Sequence, residues 1–166
     1  MNEHSHTTTM QPLGRAEDIT IAVLAGGRST RIGRDKSFIQ LGGKPLIRHV
    51  LDQVLTFNVP VIIIANEAGP YAQFNLPVYG DVLPQRSSLV GLHSALTISG
   101  TPHTLCVACD MPLLNRDLLG YLISLRHEAD IVIPQRAGGL EPLHAVYHQR
   151  AISAIEAQIG LGEMQI

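Results

Sequence analysis

Ile19-Thr-Ile-Ala-Val-Leu-Ala-Gly-Gly-Arg-Ser-Thr-Arg-Ile-Gly-Arg-Asp-Lys36 is the stretch that decides how this chain folds and where its chemistry lies. Its opening, Ile19 to Val23, is an apolar run of the kind that fills a strand buried on both faces. The strand delivers Gly26-Gly27, followed by Arg28, Arg31, Arg34 and Lys36. Glycine has no Cβ, so the backbone N–H groups of such a turn can approach phosphate oxygens closely, and the nearby cations neutralise phosphate charge. A plain strand-to-helix turn with a solvated basic rim would account for the two glycines alone. Four cations within residues 28–36 favour a polyphosphate site, most simply for a nucleotide. Neither of the commoner phosphate loops is present. Gly33 is followed by Arg34, with Lys36 later still, which is not a P-loop, and Gly26-Gly27-Arg28 breaks the dinucleotide fingerprint.

Outward from this stretch, Thr20–Leu24, Val61–Ala65, Leu105–Cys109 and Ile131–Ile133 read as parallel strands buried on both faces, continuously apolar and rich in Ile and Val. Helical patterns lie between them. One has Pro45 in its first turn and runs to about Phe57, with Leu46, Val50, Leu51, Val54 and Leu55 on one face. Leu89 to Ile98 is a second. A third is capped by Asn115, with Leu118, Leu119, Leu122, Ile123 and Leu125 as its apolar side. This alternation predicts an α/β fold: a doubly wound, mostly parallel sheet with helices on both faces, Rossmann-like in type.

Length and composition bound the rest. A chain of 166 residues with 45% hydrophobic content is expected to form one domain with a real core. A net charge of −2 gives no global pull towards nucleic acid or an anionic membrane, and no apolar run approaches the length of a membrane span. Residues 1–18 are polar and lack the apolar region of a secretory signal, so they read as a disordered tail before a single domain over 19–166. Cys106 and Cys109 form a lone Cys-x-x-Cys without a second pair for zinc. On a strand they point to opposite faces and pack as small hydrophobes. Cytoplasmic residence is the expectation that follows.

In doubly wound sheets ligands bind beyond the carboxyl ends of the strands. The glycine loop follows the first strand, Asn66 the second, Asp81 the extended piece Leu76 to Gly80, and Asp110 the Leu105 strand. One shared site is predicted there. Asp110 suits Mg²⁺, which takes one or two protein carboxylates and completes its shell with phosphate oxygens and water. Lys36 and Arg31 suit the negative charge that builds on phosphate oxygens during transfer. Asp81 could accept hydrogen bonds from a base or a ribose, or could simply end a turn after Gly80. Asn66 either contacts nucleotide or ends its strand. His49, His93, His103 and His127 read as structural or solvated, and His144 as a residue that could face a second substrate.

The blocks Leu24-Ala-Gly-Gly27, Arg31-Ile-Gly33, Asp35-Lys36 and Leu41-Gly-Gly-Lys-Pro-Leu46 resemble those of the molybdenum cofactor guanylyltransferases. These belong to the larger nucleotidyltransferase group and have a nucleotide-diphospho-sugar transferase-like fold. The resemblance resumes at Gly80-Asp81, Leu89-Val-Gly-Leu92, Cys109-Asp-Met-Pro112 and Glu141-Pro-Leu-His-Ala-Val-Tyr147, in the same order along the chain. It implies transfer of GMP from GTP to the phosphate of molybdopterin, with release of pyrophosphate and with Mg²⁺ as cofactor. It implies catalysis by Lys36, Arg31 and Asp110, with Asp110 on the metal. Leu24, Ala25, Gly26, Lys36, Asp81 and Asp110 would bind the nucleotide. Partners would be GTP, the molybdopterin cofactor, and molybdoenzymes or other proteins of cofactor biosynthesis. A cytidylyltransferase on the same cofactor, a sugar-phosphate nucleotidyltransferase and a non-catalytic nucleotide-binding protein remain as alternatives. CTP-using relatives tend to carry Ala where Gly26 stands, which favours guanine. Two departures are visible. Ser87-Ser88-Leu89 replaces the usual Gly-Pro-Leu, and the chain stops at Ile166 where the family continues to a further strand, an Asn-containing turn and a closing helix. The resemblance therefore implies a C-terminally shortened domain, by truncation or degeneration.

Overall fold

Six apolar or β-branched positions in a row at the start of the domain leave no face for water, so the first strand must lie inside a sheet. The computed structural model describes residues 17–25 and 35–166 and places that strand, β1 (Ile19–Leu24), at the centre. The other strands are β2 (Gln40–Leu41), β3 (Lys44–Pro45), β4 (Val61–Ile64), β5 (Val78–Tyr79), β6 (His103–Ala108), β7 (Ile131–Val132), β8 (Gln135–Arg136), β9 (Gly139–Leu140) and β10 (His144–His148). Six of them form one sheet in the order β5-β4-β1-β6-β10-β7, while β2-β3 and β8-β9 are separate small hairpins. The pairs β5-β4, β4-β1 and β1-β6 are parallel, and β10 runs antiparallel to both β6 and β7.

Among the described residues, four helices cover the two faces: α1 (Leu46–Val54), α2 (Ser88–Ile98), α3 (Arg116–Ser124) and α4 (Ile152–Gly160). Strand alternation divides the core in two. Ile21, Val23, Ile63, Leu105 and Val107 point to the side of α1 and α3, where they meet Val50, Leu51, Leu119 and Ile123. Ala22, Ile62, Ile64 and Cys106 point to the side of α2 and α4, against Leu89, Leu92, Leu96, Ile155 and Ile159. The two cysteines fall in opposite cores, as their spacing on an extended chain requires. Every residue from Leu89 to Leu96 is buried, because α2 lies between the sheet and α4.

The doubly wound, mostly parallel sheet is thus as the sequence predicts, with local corrections. Ile131–Ile133 is not a central strand: only Ile131 and Val132 pair, at the edge, with Ile131 45% exposed. The inner position belongs to β10, which takes in the end of the Glu141–Tyr147 block and pairs with both β6 and β7. Pro45 is the N-cap of α1 rather than its first turn, and the buried face is Ile47, Val50, Leu51 and Val54, with Leu55 exposed on the 3₁₀ turn that follows. Asn115 caps α3 as expected, accepting from the Leu118 N–H at 3.0 Å. Asp18, at the end of the expected tail, is bound into the domain by the Arg126 guanidinium. No helix among the described residues is long and apolar enough to cross a membrane.

Candidate active site

The parallel strands end on a common edge, and backbone bonds lock their tips together. The Ala25 N–H donates to Ile64 O at 2.9 Å, Ala65 N–H to Tyr79 O at 2.7 Å and Cys109 N–H to Leu24 O at 3.0 Å. Asp81, Asn66, Ala25 and Asp110 therefore stand along one rim in the order of β5, β4, β1 and β6. Gly26, Arg28, Arg31 and Arg34 lie outside the described residues, and the rim is built here from the others.

Lys36 reaches this rim because the turn beneath it is anchored. Residues Lys36–Phe38 form one turn of 3₁₀ helix, capped by Asp35 Oδ1, which accepts from the Ser37 N–H at 2.9 Å. The Tyr71 hydroxyl donates to Asp35 Oδ2 at 2.5 Å and lies 2.9 Å from Ser37 Oγ, which also reaches Cys109 Sγ at 3.2 Å. Ser37 and Tyr71 are fully buried, and Phe38 packs its ring on Tyr71 and Phe74. Burial, reinforced by the Asp35 carboxylate, pushes the Tyr71 phenol well above its ordinary pKa and keeps it a donor. The turn is in this way bolted to the tip of β6, and Lys36 Nζ stands 3.5 Å from Asp110 Oδ2. Both side chains remain accessible, at 46% and 40%.

At the other end of the rim Asn66 and Asp81 clamp each other. The Asn66 amide donates to Asp81 Oδ2 at 2.8 Å, and Asn66 Oδ1 accepts from the Asp81 N–H at 2.8 Å. Asn66 does more than end its strand: it orients the Asp81 carboxylate. Gly80 and Gly91 leave room for this. A Cβ at Gly80 would meet Asn66 Oδ1 at 3.3 Å, and one at Gly91 would meet Leu24 Cδ2 at 3.2 Å and Asp81 Oδ1 at 3.9 Å. Ser87 caps α2 by accepting from the Val90 N–H at 3.2 Å. A helix N-terminus therefore lies in this region.

Of the residues singled out from sequence, Lys36 and Asp110 come together across 74 positions, and Asn66 and Asp81 across 15. Leu24 and Ala25 lie between the two pairs. Sequence reading missed Tyr71, Ser37 as an anchor and Gly91 as the space that admits Leu24. Gly91 alone carried a signal, inside the Leu89–Leu92 block. His144 lies at the same end, paired with Val107, and is buried with Nε2 lacking a hydrogen-bond partner among the described residues. Burial pushes its pKa below the ordinary histidine value, with Glu141 opposing and Arg136 adding to the shift. His103 is shifted the same way by burial. A depressed folded-state pKa means that the unfolded chain binds the proton more readily, so stability is full above the unfolded value of ~6.5 and falls below it. Urea unfolding should show a lower midpoint at pH 5.5 than at pH 7.5, and His144→Phe should flatten the slope. An unchanged slope in that variant would remove His144 from the effect.

Residues 21–165 match the model of the MobA-like NTP transferase domain. The chain belongs to this family. A probable molybdenum cofactor guanylyltransferase of Clostridium perfringens is 34% identical over 139 residues, covering 83% of this chain and 70% of the relative. The molybdenum cofactor guanylyltransferase of Desulfosudis oleivorans is 35% identical over 150 residues, covering 89% and 74%. Among solved structures, the molybdopterin-guanine dinucleotide biosynthesis protein A of Archaeoglobus fulgidus superposes with a TM-score of 0.74 at 28% identity, over 88% of this chain and 75% of that one. The sequence resemblance and the expected fold class are both upheld by these MobA-like relatives.

Proposed function

We propose that this MobA-like chain transfers GMP from GTP to the phosphate of molybdopterin, forming molybdopterin guanine dinucleotide and pyrophosphate. The observation that supports it most directly is the Lys36–Asp110 pair at the tip of β6, an accessible cation and an accessible carboxylate held 3.5 Å apart beside the end of β1. In this reading the molybdopterin phosphate oxygen attacks the α-phosphorus of GTP in line, and the bond to the bridging oxygen breaks as pyrophosphate leaves. Lys36 offsets the negative charge that builds on the non-bridging and departing oxygens. Arg31 does the same through its two-pronged guanidinium. Asp81, fixed by Asn66, accepts hydrogen bonds from the guanine edge or the ribose, and Leu24, Ala25 and Gly26 pack against the nucleotide. From β5 to β6 is three inter-strand spacings, roughly 14 Å, which accommodates a base at the Asp81 end and phosphates at the Lys36 end.

The donor set fits Mg²⁺. Asp110 offers a hard, accessible carboxylate at the phosphate end, and one or two such groups are what this ion takes from a protein. When bound, Mg²⁺ would neutralise phosphate charge and hold the polyphosphate in line for attack. Asp110 would hold it, and Lys36 would then turn from the carboxylate towards the phosphates. The surroundings proposed for the reaction are cytoplasmic.

Thermal unfolding with GTP or CTP, each with and without Mg²⁺, tests the base and the metal together. Ligand at about 100 times its Kd adds ~2.7 kcal/mol, which for a domain of this size is a rise of roughly 5 to 10 °C. A Mg²⁺-dependent rise with GTP alone is expected. A rise with CTP alone would transfer the reading to a cytidylyltransferase, and no rise with either would remove the catalytic reading for this chain.

A further inference from the structure

The opposite end of the sheet carries a second group of ligand-type side chains, which the transferase reading does not use. Asp18 precedes β1, His103 opens β6 and His127 follows α3. Six residues of extended chain separate this end from the rim, roughly 20 Å. Asp18 Oδ2 stands 3.5 Å from His103 Nδ1 and 3.4 Å from His127 Nε2, and the three ligand atoms all lie within 4.8 Å of one another. The two distances from Asp18 Oδ2 are long for N–H···O bonds, which cluster near ~2.9–3.0 Å. They are close to the ~3.4 Å edge of a tetrahedron of nitrogen and oxygen ligands at ~2.1 Å from a zinc ion.

The neighbours support ligation. Arg126 Nε donates to Asp18 Oδ1 at 3.2 Å and Oδ2 at 3.0 Å, and can keep Oδ1 while Oδ2 turns to an ion; hydrogen-bonded carboxylates of this kind are oriented ligands. His103 Nδ1 also faces Asp18 O at 3.3 Å, a contact that only its N–H form makes, so ligation would exchange that proton for the ion. The His103 ring is held edge-on by the rings of His127 and His148, both with centroids 4.9 Å away, and His148 is itself fixed because its Nδ1 accepts from the Arg150 N–H at 3.0 Å. His103 is buried, whereas His127 is 59% exposed, so the group opens to solvent on one side.

We propose that Asp18, His103 and His127 bind a divalent transition ion of the zinc type, with two imidazole nitrogens, one carboxylate oxygen and a fourth position open to water. Two nitrogen ligands disfavour Mg²⁺ and Ca²⁺, which take oxygen ligands, and suit zinc or cobalt. The site ties the start of β1 to the start of β6 and the end of α3, so its role is structural. It is independent of the proposed Mg²⁺ at Asp110.

Co²⁺ titration of the full chain, followed by visible absorption and by thermal unfolding, tests this. The background carries Asp110→Asn and His4→Ala with His6→Ala, so that neither the rim nor the N-terminal histidines contribute. One Co²⁺ per chain with the ligand-field bands of a four-coordinate site, displaced by Zn²⁺, is the expected result. His127→Ala should weaken binding about 100-fold or more while leaving the unfolding midpoint in chelator unchanged, because that side chain is exposed. Asp18→Asn should weaken binding too, and its spectrum separates a ligand from a packing residue. Absence of saturable binding, or binding that His127→Ala does not weaken, would overturn the proposal.

Discussion

Lys36→Ala should lower kcat for guanylyl transfer about 100- to 1000-fold, the range found when one donor to a developing oxyanion is removed, and should leave the fold intact. The Lys36–Asp110 contact is 3.5 Å long with both side chains well exposed, and solvent-exposed pairs contribute only ~0–1 kcal/mol to stability. The turn that carries Lys36 is held by Ser37, Tyr71 and Phe38 rather than by its ammonium. Removing the charge therefore costs catalysis and little else. Pyrophosphate release with saturating GTP and molybdopterin measures it, alongside the unfolding midpoint. An unchanged kcat would take Lys36 out of the mechanism. A collapsed midpoint would show that the residue holds the turn after all.

Asp110→Asn should abolish the Mg²⁺ dependence of GTP binding and reduce turnover by more than about 100-fold, since even groups that only support a metal ligand are worth 10- to 100-fold. The sign of its effect without metal is the sharper test. A carboxylate beside a polyphosphate repels it, so in chelator the variant should bind GTP as well as the unsubstituted chain or better. With Mg²⁺ the unsubstituted chain should bind far more tightly. Calorimetric titration with and without Mg²⁺ gives all four affinities. If Asp110→Asn loses metal-free binding instead, the carboxylate contacts the nucleoside, and the metal must be held elsewhere.

The readability of this chain follows from which interactions are local. The strands β1, β4 and β6 are buried on both faces, so each carries a run of at least four consecutive apolar residues, which can be recognised without knowing the partners. The helix cap at Asn115 involves residues three apart, whereas the cap at Ser87 was found only in the structure. β10 was not recognisable in the same way. Its His144, Tyr147 and His148 break the apolar run, and only pairing between β6 and β7 makes it an inner strand. Ile131 to Ile133 misled for the converse reason: an edge strand in this fold is as apolar as a central one, and exposure decides the difference.

The site divides along the same line. By itself, the sequence determined that carboxylates and cations follow strand ends in an alternating α/β chain, because that placement depends on order alone. Which of them meet is a property of the tertiary structure. Lys36 faces Asp110 because Tyr71, from a 3₁₀ segment after β4, ties Asp35 and Ser37 to the tip of β6. Asp81 is oriented because Asn66 sits one strand away with a matching amide. The Asp18–His103–His127 group joins three elements whose sequences hold no common motif. Hydrogen bonds and ligand geometries require atoms within about 3.5 Å, and residues 15 to 108 positions apart reach that distance only once the sheet has brought their strands side by side.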